Sequence, residues 1–213
     1  MKKWLDLFLI SFVSLISVAF FPLLSYSAII PLGSNNYQAG FSDYYVEGMA
    51  KPETIGRQQQ PHWCWAASVQ VSLNLLGIPV SQRQVVFSQF RSLVDYPANI
   101  PIVLKALSGW KWDFRRKPIS VLPHIEQNWN QVLADLRDNH PVILDLSELQ
   151  GIDHAVVLTG ATYSFQGNSI IIKSLIIRDP WPTAQNRREL PFNQLEGYIR
   201  NAIGINFFAP YGF

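Results

Sequence analysis

Between residues 60 and 110, apolar residues recur mainly at helical spacing. The pattern predicts a first helix over Trp65–Leu76 that stops at Gly77, because glycine often follows the last helical residue. Ser81 is a suitable N-cap for a second helix, QRQVVFSQF. A third helix is predicted within ANIPIVLKALSG and ends near Gly109. This part of the chain is therefore predicted to be helical.

The rest of the chain changes from helical to strand-like patterning. Trp110–Arg116 alternates well enough to predict a strand, and a proline-rich loop follows it. A further helix, NWNQVLADLRDN, opens at Asn128 or Trp129 and is broken by Pro141. Four β-branched runs then predict strands: PVILDL, HAVVLTGATY, SIIIKSLIIRD and YIRNAIGINFF. Helices first and strands later indicate an α+β fold rather than a repeated β-α-β arrangement.

The composition is typical of one well-packed domain. The chain has 213 residues, of which 48% are hydrophobic and 15% are charged, and its net charge is +2. This is enough apolar material for a core, which excludes a disordered protein. The sequence has no basic stripe and no long run of one sign of charge, so we expect no nucleic-acid partner.

The first residues have the organisation of a secretory signal peptide, residues 1–27. Two lysines precede an apolar stretch from Leu7 to Leu24, and a run rich in small residues follows it. We expect cleavage after Ser27, but the apolar stretch is long enough that an uncleaved membrane anchor stays open. Residues 28–57 are rich in glycine, serine and asparagine and are expected to form an extended lead-in before a domain over residues 58–213.

Export changes the expectation for Cys64, the single cysteine. One cysteine can form neither an internal disulfide nor a cysteine-rich metal site. Cys64 lies at the start of the first predicted helix, where unsatisfied N–H groups and the helix dipole favour the negative charge of a thiolate. It is therefore a candidate nucleophile. The alternative is a buried structural thiol.

Three segments together resemble the motifs of papain-like cysteine peptidases. Gln58 precedes Cys64 by six residues and Trp65 follows it, as in the nucleophile motif of that family. Residues 151–160, GIDHAVVLTG, are similar to the family's histidine strand, and residues 177–182, IRDPWP, to its acidic segment. The helix–Pro–strand unit before the histidine is similar to that of two bacterial branches, the C39-like and the AvrRpt2-like (C70) peptidases.

The resemblance implies a papain-like fold in which an N-terminal helical half packs on a C-terminal antiparallel sheet half. It also implies that Cys64 is the nucleophile, His154 the base and Asp179 the group that orients the imidazole. The side-chain amide of Gln58 and the backbone N–H of Cys64 would form the oxyanion hole. Each residue type suits its role, because imidazole can exchange a proton with a thiol and an amide can donate to an oxyanion.

Other residues compete for these roles. His62, two residues before Cys64, is a rival base. Asp153 competes with Asp179 as the orienting carboxylate, but on one strand its side chain would point to the face opposite His154.

Further alternatives concern the oxyanion donor and metals. Gln59 or Gln60 could replace the predicted donor if the turn is unusual. A metal site built on the cysteine and its neighbouring histidine would lack a second pair of ligands, so we expect no metal and no other cofactor. His124 and His140, which lie beside prolines, are expected to be solvated.

The combined prediction is an exported cysteine peptidase, secreted or periplasmic, that hydrolyses peptide or isopeptide bonds through a thioester. Its partner would be a protein or peptide substrate. The chain is expected to be a monomer that contacts the membrane only through an uncleaved N-terminal segment, if at all. Two alternatives stay open: an acyltransferase of the transglutaminase type with the same triad, and a catalytically silent peptide-binding module.

Overall fold

The computed structural model describes residues 29–149 and 152–209, so the predicted signal peptide lies outside the described residues. Within the described ranges, no helix is long and apolar enough to cross a membrane. The strands are β1 (Ile29–Gly33), β2 (Asn36–Gly40), β3 (Ser120–Ile125), β4 (Val142–Leu149), β5 (Ile152–Gln166), β6 (Ser169–Arg178), β7 (Arg187–Pro191) and β8 (Ile199–Phe208). The helices are α1 (Asp43–Met49), α2 (Cys64–Leu75), α3 (Gln82–Phe90), α4 (Ile100–Ser108), α5 (Trp129–Arg137) and α6 (Phe192–Leu195), followed by a 3-10 turn (Glu196–Tyr198).

These strands form one antiparallel sheet centred on β5. The order is β1-β2-β5-β4-β8-β3, with β6 also paired to β5 and β7 paired to β6. Val157 of β5 lies opposite Arg178, the last residue of β6. Because the two strands are antiparallel, the chain that leaves β6 lies beside the start of β5. This pairing brings the predicted acidic segment to the predicted histidine strand.

Helices cover both faces of the sheet. Ile143 of β4 belongs to the apolar cluster that includes α2, α3 and α4, whereas its neighbours Val142 and Leu144 pack in a second cluster with α5. Successive side chains of a strand point to opposite faces, so a strand that is apolar at every position needs cover on both. The expected helical half therefore accounts for α2–α4, while α5 lies on the opposite face of the sheet.

The boundaries predicted for the first helices are confirmed. Helix α2 ends at Leu75, and Gly77 follows it with a φ of +75°, a conformation that favours glycine. Ser81 caps α3: its hydroxyl accepts from the backbone N–H of Gln84, and the Gln84 side chain accepts from the Ser81 N–H. These are contacts between residues three apart, which explains why the sequence predicts them well.

The strand predicted over Trp110–Arg116 is wrong, because a side chain there stabilises a turn. The carboxylate of Asp113 accepts hydrogen bonds from the backbone N–H groups of Arg115 and Lys117, both at 2.8 Å. Arg116 has a φ of +58°. Aspartate commonly forms turns of this kind with the backbone two residues on.

The strand β3 instead lies in the stretch that was expected to be a proline-rich loop. It contains Pro123, which pairs in register with Ile205 of β8. Since β3 is the last strand in the sheet order, proline can occupy a position whose missing N–H would otherwise bond a further strand.

The extended lead-in expected over residues 28–57 is only partly found. Strands β1 and β2 form a hairpin that adds to the edge of β5, and α1 follows with Ser42 as its N-cap. Arg178 at the end of β6 is only 2% exposed and forms ion pairs with Asp43 and Glu47 of α1. Helix α1 is thus joined by ion pairs to the end of β6, the strand that leads to the acidic segment.

Candidate active site

Cys64 is the first residue of α2, as predicted, and is half-buried. The N-cap residue Trp63 makes no side-chain capping bond. Its indole N–H instead donates to the carbonyl of Val94 (2.9 Å), and the indole of Trp65 donates to the carbonyl of Tyr96 (3.0 Å). Both indoles are buried, so the tryptophans that flank the cysteine fix its helix against the segment before α4.

His154 and Asp179 meet as the sheet register requires. The imidazole Nε2 lies 2.8 Å from Asp179 Oδ1, and the two side chains are 10% and 5% exposed. Asp179 also accepts from the backbone N–H of Trp181 (2.9 Å) and forms an ion pair with Arg188 (3.2 Å). The carboxylate therefore has three donors, and its orientation is fixed before any substrate binds.

The imidazole also reaches the thiol. His154 makes a side-chain hydrogen bond with Cys64. Since Nε2 is engaged by Asp179, Nδ1 is the ring nitrogen left for the sulfur. Beside them, the hydroxyl of Ser68 on α2 donates to the carbonyl of Ala155 on β5 (3.1 Å), which joins the helix to the strand at the site. The structure thus brings together Cys64, His154 and Asp179.

The contacts change the protonation of both partners. Burial alone would lower the pKa of His154, but the hydrogen bonds and negative charge of Asp179 and Cys64 outweigh it and raise the pKa to about 9. Burial would raise the pKa of Asp179, but the hydrogen bonds from His154 and from the Trp181 N–H hold it below its usual value. At neutral pH the imidazole is therefore a cation between two acidic groups.

The loop that carries Asp179 is clamped by Arg57. The guanidinium donates to the carbonyls of Trp181 and Ala184, both at 2.7 Å, and pairs with Glu53 at 2.7 Å. The indole ring of Trp181 lies edge-on to His154, with 6.0 Å between ring centroids. The sequence did not point to either arginine. Arg57 contacts residues 124 and 127 positions away, and Arg188 lies on β7, a strand that the sequence did not predict.

Gln58 lies in the turn before the cysteine and is 6% exposed. Its side-chain N–H groups donate to the carbonyls of Gln60 (3.1 Å) and Pro61 (2.8 Å). Its backbone N–H donates to the carbonyl of Pro180 (2.9 Å), which connects the turn to the acidic segment. Its amide oxygen is buried and has no hydrogen-bond partner in the part of the chain that the structure describes. Gln58 therefore stabilises the turn that presents Cys64.

A buried glutamine of α3, supported by a second one on α2, stabilises the same turn. Gln82 of α3 accepts from the backbone N–H of Gln59 (2.9 Å) and donates to the carbonyl of Arg57 (2.8 Å). It also donates to the side chain of Gln70 on α2 (3.1 Å), and both glutamines are almost fully buried. Gln70 is the longest polar side chain in a helical run that is mostly apolar, but this signal could not identify its partner.

The rival residues lie apart from the imidazole. His62 has an exposed side chain (57%) whose Nδ1 contacts Asp95 at 3.1 Å, and its backbone N–H donates to the same carboxylate. Asp153 pairs with Arg200 at 3.0 Å. Its side chain is on the outer face, as strand alternation predicts.

The solvated state expected for two further histidines is not found. His124 belongs to β3 rather than to a loop, and its Nε2 lies 3.0 Å from the buried carboxylate of Glu126. His140 is half-buried after α5, and burial lowers its pKa despite the nearby Asp135. Both histidines lie near Asp135, which their proline neighbours in the sequence do not reveal.

A thiol at a helix N-terminus, an imidazole on a neighbouring strand and a buried carboxylate define a site of the thiol-peptidase class. The sequence matches the model of the Peptidase_C39 like family over residues 52–202. The chain belongs to this family and is a papain-like cysteine peptidase. The match does not address the finer likeness to the AvrRpt2-like branch, which stays a prediction.

Among solved structures, the chain resembles the peptidase domain of Streptococcus ComA, a bi-functional ABC transporter involved in a quorum sensing pathway. The two share 14% sequence identity with a TM-score of 0.49, over 71% of this chain and 94% of that domain. No curated protein sequence gives a significant match.

Proposed function

We propose that this protein is an exported peptidase that hydrolyses peptide or isopeptide bonds through a thioester on Cys64. The observation that carries the proposal is the position of one imidazole between two partners. His154 is hydrogen-bonded to the thiol of Cys64 and, through Nε2, to Asp179 at 2.8 Å. The predicted signal peptide over residues 1–27 supports export.

In the first step the sulfur of Cys64 attacks the carbonyl carbon of the scissile bond. The imidazolium of His154 gives its proton to the departing amine, so the C–N bond breaks and a thioester remains on the enzyme. The now neutral imidazole then takes a proton from water, which attacks the thioester. The carboxyl product leaves, and the thiolate and imidazolium are restored. Asp179 fixes the ring throughout and stabilises its cationic form.

The negative oxygen that forms in each step needs donors. The backbone N–H of Cys64 lies in the first turn of α2, where helix N–H groups lack intrahelical acceptors. We assign it as one donor. Gln58 joins it when the oxyanion replaces one of the two carbonyls to which the amide now donates, because a charged oxygen is the stronger acceptor.

The pH dependence of Cys64 alkylation by iodoacetamide tests the thiol–imidazole pair. We expect the wild type to react quickly at mildly acidic pH, because the imidazolium of His154 interacts with the sulfur. His154→Ala should lose this fast reaction. His62→Ala is the matched control, because His62 is the other histidine near the cysteine and faces Asp95; it should react like the wild type.

Slow, ordinary thiol reactivity in all three proteins would contradict the proposal. The protein would then be a peptide-binding module without catalysis. If the pair is active, product analysis with and without an added amine separates hydrolysis from acyl transfer. An amide product in place of the free acid would overturn the hydrolytic assignment.

A further inference from the structure

Three ionisable side chains form a second cluster, which the peptidase chemistry does not use. His124 lies on β3, Glu126 directly follows that strand, and Asp135 lies on α5. The imidazole Nε2 is 3.0 Å from Glu126 Oε1 and 3.8 Å from Asp135 Oδ2. One potential ligand atom from each residue lies within 4.8 Å of the others. We call these residues the β3–α5 cluster.

The three ligand atoms converge on one point beside Gly204. A methyl group built on this glycine would collide with Glu126 Oε1, Asp135 Oδ2 and His124 Nε2 at once. Gly204 lies opposite His124 in the pairing of β3 with β8. The absence of a side chain at this position therefore leaves a small space that is lined by one nitrogen and two carboxylate oxygens.

The cluster also lacks donors for its buried oxygens. The side chain of Glu126 is only 1% exposed, and its Oε2 has no hydrogen-bond partner within the described residues. Asp135 Oδ2, which faces the common point, is likewise buried and has no donor among residues 29–149 and 152–209. Buried carboxylate oxygens are normally hydrogen-bonded or bound to a metal. Two carboxylates this close together need a proton or a positive charge between them.

We propose that the β3–α5 cluster binds a divalent first-row metal ion, with Zn²⁺ as the best match. One imidazole and two carboxylates form a ligand set that zinc accepts, whereas Ca²⁺ and Mg²⁺ prefer oxygen ligands alone. Ligands at about 2.0–2.2 Å from one zinc ion are separated by roughly 3–4 Å. The imidazole nitrogen lies 3.0 and 3.8 Å from the two carboxylate oxygens, which is within this range. Two carboxylates and neutral imidazole would balance the charge of the ion.

The position of the cluster indicates a structural role. Leu146 of β4 pairs with His154 on one side and with Ile199 of β8 on the other. Gly204 lies five residues further along β8. Five residues of a strand span about 17 Å, so the ion would lie far from the thiol. It would join the edge strand β3 to α5, which packs on the face of the sheet opposite α2–α4. Binding should therefore raise thermal stability rather than the hydrolytic rate.

Zinc titration calorimetry tests this site in a Cys64→Ala background, which removes the thiolate as a competing ligand. We expect one zinc ion per chain at the cluster. Asp135→Asn in that background should weaken the affinity at least tenfold. Asp138→Asn is the matched control, because Asp138 follows the same helix, is 57% exposed and contacts Arg137; it should bind like its parent.

Absence of saturable zinc binding, or equal affinity in the Asp135→Asn and Asp138→Asn proteins, would overturn the proposal. The two carboxylates would then share a proton instead. If Asp135→Asn does not fold by circular dichroism, Glu126→Gln replaces it. Thermal unfolding gives a second reading: zinc should raise the midpoint of the Cys64→Ala chain and a chelator should reverse the rise. An unchanged midpoint would also count against the site.

Discussion

Among the described residues, two histidines contact buried carboxylates at nearly equal distances, but the two carboxylates have opposite electrostatic surroundings. His154 lies 2.8 Å from Asp179, and His124 lies 3.0 Å from Glu126. In the first pair the pKa of the carboxyl group is held below its usual value. In the second pair burial, together with a neighbouring carboxylate, raises the pKa of Glu126 to about 7.

The difference lies in what surrounds each carboxylate. Asp179 receives a backbone N–H and the guanidinium of Arg188 in addition to the imidazole. Glu126 instead faces Asp135, and one of its oxygens has no donor among the residues that the structure describes. A histidine beside a carboxylate therefore does not define a function. The additional donors keep Asp179 a stable anion that can hold an imidazolium. Glu126, in contrast, needs a proton or a cation beside it.

The largest expected effect comes from removing the imidazole of the first pair. His154→Ala should lower kcat for a cleaved peptide by at least about 10³-fold, because both proton transfers lose their carrier. The kcat of His62→Ala should stay within about twofold of the wild-type value, since His62 takes part in no proton transfer. Fluorogenic peptide assays would measure both, and a similar loss in the two variants would contradict the assignment of the base.

A smaller effect is expected when only the charge of the carboxylate is removed. Asp179→Asn should lower kcat on the order of 10²-fold, since the imidazole loses the partner that stabilises its cation. Its pKa should fall from about 9. The alkaline limb of the activity profile should therefore move to lower pH by roughly one unit or more.

Asp153→Asn provides the control for this change, because Asp153 is adjacent to His154 in sequence but pairs with Arg200. Its pH profile should superimpose on that of the wild type. An alkaline limb that moves in Asp153→Asn and not in Asp179→Asn would reverse the roles of the two aspartates.

The smallest expected effect concerns the stability of the β3–α5 cluster. Gly204→Ala should reduce the free energy of unfolding by about 2 kcal/mol, because the added methyl collides with three side chains of the cluster. Gly109→Ala, where a methyl meets no atom within 4 Å, should change it by less than about 0.5 kcal/mol. Urea unfolding measures both, and equal values would show that the space beside Gly204 is not confined.

The local features of the fold were accessible from the sequence. Ser81 and Gly77 mark helix ends through contacts that span a few residues, and Cys64 was expected at a helix start. The prediction fails where a side-chain contact with the backbone competes with a strand. The carboxylate of Asp113 stabilises a turn in a stretch whose apolar and polar residues alternate as in a strand. The sequence predicts a loop at Pro123, because nothing local shows that its strand lies at a sheet edge.

The candidate site divides in the same way. Motif order alone pointed to Cys64, His154 and Asp179. No pattern pointed to Arg57 or Arg188, which fix the acidic segment through contacts with residues on other elements.

What the sequence by itself determined is therefore the type and order of helices α2–α5 and of strands β4, β5, β6 and β8, and the chemistry of three residues. Capping, periodicity and motif spacing act within a few positions and can be seen in the chain. The charge state of each carboxylate was decided only by the tertiary structure. It depends on burial and on donors from distant strands and helices, which is why two similar pairs, His154–Asp179 and His124–Glu126, differ so widely.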